Sequence, residues 1–258
     1  MLDTIPIIRI TGRTRVDDKD AVVVEYNLSI VLNGQELVTL VCSPEKLEFL
    51  AAGFLCSQGL ITTKEEIRDI ALDKEKGVIA ITTREPGKLA GDILSRRLIG
   101  SSGEKGIVQA GDLRQGVRNN FRITISSHEV AALMGDFIQR SEVYRATGGV
   151  HSAALSTSQK IILFSDDIGR HNAIDKIFGE CLLVDILVDD RILLTSGRVS
   201  SEIVLKAAKR NIPILISKSA PTKIGVELAH NLGITLIGFA RGANMNIYSH
   251  PWRMSHED

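Results

Sequence analysis

The stretch from residue 191 to residue 239 constrains the fold most. Arg191–Thr195 reads as a strand, Ser200–Arg210 as a helix, Pro213–Ser217 as a strand, Lys223–Asn231 as a helix and Ile234–Phe239 as a strand. Helices this short serve as crossover connections, so the three strands run parallel in a βαβαβ unit. Gly233 stands where a helix C-terminal glycine belongs. Segments leaving the carboxyl ends of parallel strands share one rim of the sheet, and α/β proteins bind ligands along that rim.

Three polar clusters fall there. They are Thr195-Ser-Gly-Arg-Val-Ser-Ser-Glu202, Ser217-Lys-Ser-Ala-Pro-Thr222 and Ala240-Arg-Gly-Ala-Asn244. Small residues allow close backbone approach, helix N-termini offer unpaired N–H groups, and Arg198 and Arg241 carry forks that fit phosphate oxygens. Gly148-Gly149 ahead of His151 adds a further backbone nest. A glycine after a strand is ordinarily a turn, and a serine there a helix cap, so one cluster alone carries little. Three on one rim carry more. The segment Ser165–Lys176 follows the apolar run Ile161–Phe164 and gathers Asp166, Asp167, Arg170, His171, Asn172, Asp175 and Lys176 beside Gly169. This is expected to add an anion-binding fork and a titratable imidazole to a pocket for a large, phosphorylated ligand. His151 taken alone reads as a satisfied, partly buried histidine.

Upstream of about residue 120, strands dominate. Ala21–Val31 and Glu36–Cys42 flank Asn33-Gly34, a strong hairpin signal. Pro44–Cys56 reads as a helix with Leu47, Leu50, Ala51 and Phe54 on one face, and Ile67–Leu72 with Val78–Thr82 as a second hairpin. Ser126-x-x-Glu129 is a capping box opening a helix to about Arg140. The expected organisation is an N-terminal α+β domain of antiparallel hairpins over 1–120, with a mobile loop near 100–106, and an α/β ligand-binding domain over 121–258.

The 258 residues are 44% hydrophobic, enough for a sizeable core, and the formal net charge is zero. Zero charge without a basic face argues against nucleic-acid binding. The N-terminus lacks a signal-peptide pattern, and no apolar run is long enough to span a bilayer, so a soluble cytoplasmic protein is expected. Cys42, Cys56 and Cys181 are odd in number and show no C-x-x-C spacing, which suggests neither a disulfide framework nor a zinc site. Cys42 and Cys181 read as core, and Cys56, near a helix end, as the more accessible thiol. Dinucleotide-fold glycines, a P-loop, a nucleophile elbow, H-E-x-x-H and the zinc-deaminase pattern are all missing.

Taken together the motifs resemble the FdhD family of formate dehydrogenase accessory proteins. They are Gly53-Phe-Leu-Cys-Ser-Gln-Gly-Leu-Ile61, Thr147-Gly-Gly-Val-His-Ser-Ala-Ala154, Asp166-Asp-Ile-Gly-Arg-His-Asn-Ala173, Thr195-Ser-Gly-Arg198, Ser219-Ala-Pro-Thr222, Gly238-Phe-Ala-Arg-Gly242 and Ile247-Tyr-Ser-His-Pro251. The resemblance implies a cytidine-deaminase-like core without zinc, a homodimer, and binding of the molybdenum bis(molybdopterin guanine dinucleotide) cofactor. The cofactor contacts it implies fall on Phe239, Ala240, Arg241, Gly242, Ala243 and Asn244; Arg198, Arg170 and His171 join them from the rim. It further implies transfer of sulfur from a cysteine desulfurase to that cofactor on behalf of formate dehydrogenase.

In that family a loop cysteine carries the sulfur as a persulfide, often within Ser-Cys-Gly-x-Cys-Gly. Here the stretch reads Ser101-Ser-Gly-Glu-Lys-Gly106, with Ser102 and Lys105 at the cysteine positions. A hydroxyl cannot replace a polarizable thiolate in this chemistry. The alternative expectation is therefore a non-catalytic chaperone that holds the cofactor.

Overall fold

The computed structural model describes residues 1–86 and 122–255. Ser102, the loop near 100–106 and the expected domain boundary at 120 lie outside the described residues.

Two strands, β1 (Leu2–Thr11) and β2 (Thr14–Val23), form an antiparallel ribbon by themselves. Next come β3 (Tyr26–Leu32) and β4 (Gln35–Cys42), joined at Asn33 and Gly34, which both adopt the positive φ that such a turn requires. The run expected to be one strand from Ala21 is therefore divided between β2 and β3. Helix α1 (Leu47–Gln58) follows, then the hairpin of β5 (Ile67–Asp73) and β6 (Val78–Thr83). Both hairpins are antiparallel, as expected, and they join through a parallel β3–β6 pair, giving the order β4-β3-β6-β5. Leu28, Ile30, Leu32, Ile79 and Ile81 from its buried face close over Leu50, Phe54 and Leu55 of α1. Pro44 lies outside that helix. Lys46 turns left-handed at its start, because Ser43 and Lys46 are already tied to residues 164–180.

The capping box at Ser126 and Glu129 opens α2 (Ser127–Arg140), and α3 (Glu142–Thr147) follows. The six-stranded sheet then takes β7 (His151–Ser156), β8 (Ile161–Asp167), β9 (Ile192–Thr195), β10 (Ile214–Ser217), β11 (Thr235–Arg241) and β12 (Asn244–Ser249) in the order β12-β11-β10-β9-β7-β8. Between them run α4 (Arg170–Leu183), α5 (Ser201–Lys209) and α6 (Lys223–Leu232). Strands β9, β10 and β11 are parallel, with Ile216 beside both Leu194 and Ile237. Strands β7, β8 and β12 run antiparallel to their neighbours, so the sheet is mixed rather than the parallel one expected. Gly233 caps α6 in the left-handed conformation.

Successive strand residues point to opposite faces, and this sorts the core. Leu193, Leu215 and Leu236 face Ala173, Ile177, Ile203 and Ala229 of α4–α6. Ile192, Ile214 and Ile237 face Val130, Leu133 and Phe137 of α2. No helix among the described residues is long and apolar enough to cross a membrane.

Candidate functional site

The rim clusters do converge. A cavity of about 430 Å³ opens at the carboxyl ends of the parallel strands, and Ser196, Lys218, Ser219 and Arg241 bring one or two residues from each cluster to its wall. Gly148, Gly149, His151 and Ser152 close another side. Phe137 and Ile138 of α2, Ser141 between the helices and Tyr144 of α3 supply more of the wall, and Val150 and Ile168 complete it.

Local chemistry accounts for each placement. Ser141 accepts the Tyr144 backbone N–H, which starts α3 and aims Tyr144 at the cavity. Gly148 ends that helix left-handed and turns the chain into β7. The Ser217 hydroxyl donates to the Gly197 carbonyl (2.7 Å) and accepts the Ser219 N–H, locking two rim loops together. Arg241 Nε donates to the Lys218 carbonyl (3.0 Å), which ties in the third. The Lys218 ammonium lies 4.9 Å from the centre of the Tyr144 ring. Two cations and an aromatic wall thus face one space.

Elsewhere on the wall, Ser141 and Ser152 donate their hydroxyl protons to the two oxygens of Asp166, at 2.7 and 2.6 Å. With its proton so committed, the Ser152 oxygen faces a ligand as an acceptor. The Ser196 hydroxyl oxygen accepts the Ser152 N–H and lies 3.3 Å from His151 Nδ1. Burial, with Arg170 and Arg198 nearby, holds His151 below the ordinary imidazole range, so it is neutral at pH 7.

The Ser165–Lys176 segment divides. Asp166 reaches the cavity through its serines. Asp167 and Lys176 form a fully enclosed ion pair at 2.7 Å, and Asp175 pairs with Lys206 while accepting from Ser57. These carboxylates hold α4 to α1 and α5; they are not ligand groups, as their clustering had suggested. The Asn172 amide donates to the Val41 carbonyl and to Asp167, so it too is a tie between sheets. Arg170 packs its stem against Gly197. His171 Nε2 stands 3.3 Å from the Glu202 carboxylate without hydrogen-bond alignment, and burial pushes its pKa down to about 3, with Lys206 and Arg170 reinforcing.

The segment Phe239–Asn244 forms the β11 end and its turn into β12. Arg241 lines the cavity, Ala240 is packed beneath, and Arg241 and Asn244 pair across a turn through Gly242 and Ala243. Phe239 is partly exposed with φ 52°, an uncommon conformation for a bulky side chain, and its N–H donates to Ser219. Arg198 is exposed on the neighbouring loop. Tyr144, Ser141 and Phe137 were not foreseen; the signal available was Ser141 as a cap three residues ahead of Tyr144.

The cysteines lie elsewhere. Cys42, Cys56 and Cys181 are all free and buried, with 0%, 5% and 1% of their surface exposed. Burial pushes the Cys42 and Cys181 thiols up to about 12 and raises Cys56 despite Arg210 beside it. Cys56 is therefore not the accessible thiol its place in the sequence had suggested. Among the described residues no group of three or more His, Cys, Asp or Glu is placed to hold a metal ion.

The FdhD/NarQ family model matches residues 23–255, which leaves β1 and most of β2 outside it. The chain belongs to the FdhD/NarQ family. The sulfur carrier protein FdhD of Bacillus subtilis is 43% identical over 238 residues, covering 92% of this chain and 91% of that one. That of Geobacillus kaustophilus is 38% identical over 251 residues, covering 96% and 95%. A crystal structure described as a formate dehydrogenase accessory protein from Desulfotalea psychrophila superposes with a TM-score of 0.79 at 25% identity, covering 98% of this chain and 99% of that one. The matched FdhD/NarQ region contains every described residue of the cavity wall.

Proposed function

We propose that this chain serves formate dehydrogenase maturation by binding the guanine dinucleotide end of the molybdenum cofactor in the rim cavity and presenting it for sulfuration. The cofactor is cargo, and one nucleotide end suits a cavity of about 430 Å³. The observation that carries the reading is that Lys218, Arg241 and Ser152, the last held by Asp166, line one space. The cations complement phosphate oxygens, Tyr144 offers a face for a base, and Ser152 offers an acceptor for guanine N–H donors. The strained Phe239 and the turn after it stand beside Ser219 on the same rim, as a segment shaped for contact would. Calorimetry with GDP tests this: binding with about 1:1 stoichiometry, competed by GTP and not by CMP, is expected, and no heat would refute it.

In this reading the sulfur comes from a cysteine desulfurase and is not carried on this chain. To carry it, a thiolate here must attack the outer sulfur of the donor's persulfide, forming a new persulfide and releasing the donor thiolate. All three cysteines are enclosed and held as thiols. A second reading, transfer through Cys56, has one observation in its favour: Arg210 Nη1 lies 3.4 Å from Cys56 Sγ, where it would stabilise a thiolate. Incubation with a desulfurase and radiolabelled cysteine separates the two. Thiol-releasable label on the chain that vanishes in Cys56→Ser establishes the second.

A further inference from the structure

His151 lines the rim cavity beside Ser152 and Ser196, and the bonds among the three leave one proton with two places to point. Ser196 Oγ accepts the Ser152 N–H at 2.9 Å, and His151 Nδ1 lies 3.3 Å from the same oxygen. Among the described residues, Nδ1 is the acceptor within reach of the Ser196 proton. The neutral ring takes that proton there and keeps its own on Nε2, so Ser196 has none to offer a ligand. A protonated ring carries N–H groups on both nitrogens. Nδ1–H then donates to Ser196 Oγ, and the hydroxyl proton turns toward the cavity. Ser152 has no such choice, because Asp166 holds its proton at 2.6 Å in either state.

The surrounding charges set the resting state of the ring. Facing His151 are Asp167 on the paired strand β8, Arg170 and His171 at the start of α4, and Arg198 after β9. Lys218 and Arg241 add two cations on the cavity wall. Asp167 favours a positive ring, but it is already paired with Lys176 at 2.7 Å. Burial and the two arginines outweigh it and keep the ring neutral. A phosphate group in the cavity opposes them with negative charge, and the protonated ring becomes the favoured one.

We propose that His151 and Ser196 form a proton-linked contact for a pyrophosphate: binding draws one proton from solvent onto His151 Nδ1, and the Ser196 hydroxyl then donates to a phosphate oxygen. The proposal rests on the nucleotide reading of the cavity and adds to it the residues that sense the anion. Because the complex holds a proton that the free chain does not, affinity rises as pH falls, and release is favoured as pH rises.

GDP-mannose is the probe, because its pyrophosphate is esterified at both ends, whereas a terminal phosphate itself titrates at about pH 6. Calorimetry of the full chain at pH 6.5, in buffers of different ionisation enthalpy, reads proton uptake directly. The wild type is expected to take up a fraction of one proton per ligand bound, and its affinity should rise about threefold to tenfold from pH 8 to pH 6. His151→Gln should abolish the uptake and flatten the profile, while His171→Gln should keep both. Ser196→Ala should lower affinity about tenfold at pH 6 and about twofold or less at pH 8, since the hydroxyl serves the ligand only beside a charged ring. Binding without proton uptake in the wild type overturns the proposal and leaves the nucleotide reading standing. So does uptake that survives His151→Gln, uptake lost in His171→Gln alone, or an equal Ser196→Ala loss at both pH values. No binding of GDP or GDP-mannose at any pH overturns both.

Discussion

Gly53 and Gly179 let helices α1 and α4 touch backbone to backbone. A Cβ on Gly53 would lie 1.8 Å from the Asp175 carbonyl oxygen, and one on Gly179 would lie 1.8 Å from that of Phe49. No rotamer relieves such a clash, because the obstructing atoms are main chain. This seam joins the four-stranded sheet, through α1, to the helices that carry the rim.

Gly179→Ala is therefore expected to force the helices apart, and with them the enclosed Lys176–Asp167 and Lys206–Asp175 pairs. Overpacking with loss of buried pairing places the cost at about 3 kcal/mol or more. Urea denaturation measures it. Gly135→Ala, where an added Cβ meets nothing within 4 Å, should leave stability unchanged or slightly raised.

The cavity predicts a pattern of affinities. Arg241→Ala and Lys218→Met each remove a charge facing the phosphate region, worth roughly 1.5–3 kcal/mol, or about a tenfold to hundredfold loss for GDP. Ser152→Ala leaves Asp166 with one hydroxyl fewer and removes an acceptor, so it should lower affinity for GDP more than for ADP. Unchanged GDP binding in both charge variants would remove the assignment of the phosphate end.

The βαβαβ unit was legible because strand and helix periods alternate cleanly and Gly233 marks a helix end. The convergence of Ser196, Lys218 and Arg241 followed from topology alone. Strand β7 escaped notice because His151-Ser-Ala-Ala154 carries little bulk, and its place is set by pairing between β8 and β9. Tyr144 escaped because its direction depends on the Ser141 cap and the turn at Gly148. Asp167, Asp175 and Lys176 resembled a reactive cluster, yet they neutralise one another and their neighbours in the interior. One-dimensional order cannot separate a buried ion pair from a site, since both put carboxylates beside cations.

His171 gives the fold a pH dependence. Its pKa in the native chain is pushed down to about 3, against an ordinary value of 6.5, because burial opposes the charged ring. The unfolded chain therefore binds a proton that the native chain refuses. Stability should be constant in this respect above about pH 6.5 and fall as pH drops from there toward 3. Chemical denaturation at pH 7.5 and pH 5 should show the loss, and His171→Gln should reduce the slope. His151, shifted the same way, adds to the effect and should persist in that variant.

The thiols provide the sharpest check on how sulfur travels. A persulfide carrier needs an exposed thiolate, and Cys42, Cys56 and Cys181 are enclosed and raised above their ordinary pKa. The native chain at pH 7.5 is expected to react negligibly with a thiol reagent over minutes, and all three free cysteines should titrate once guanidinium unfolds it. We propose that Ser102→Cys would confer desulfurase-dependent label, since the resemblance sets Ser102 where the family carries a cysteine. Fast reaction of one native thiol, abolished by Cys56→Ser, would instead show that α1 opens and that Arg210 activates a working carrier.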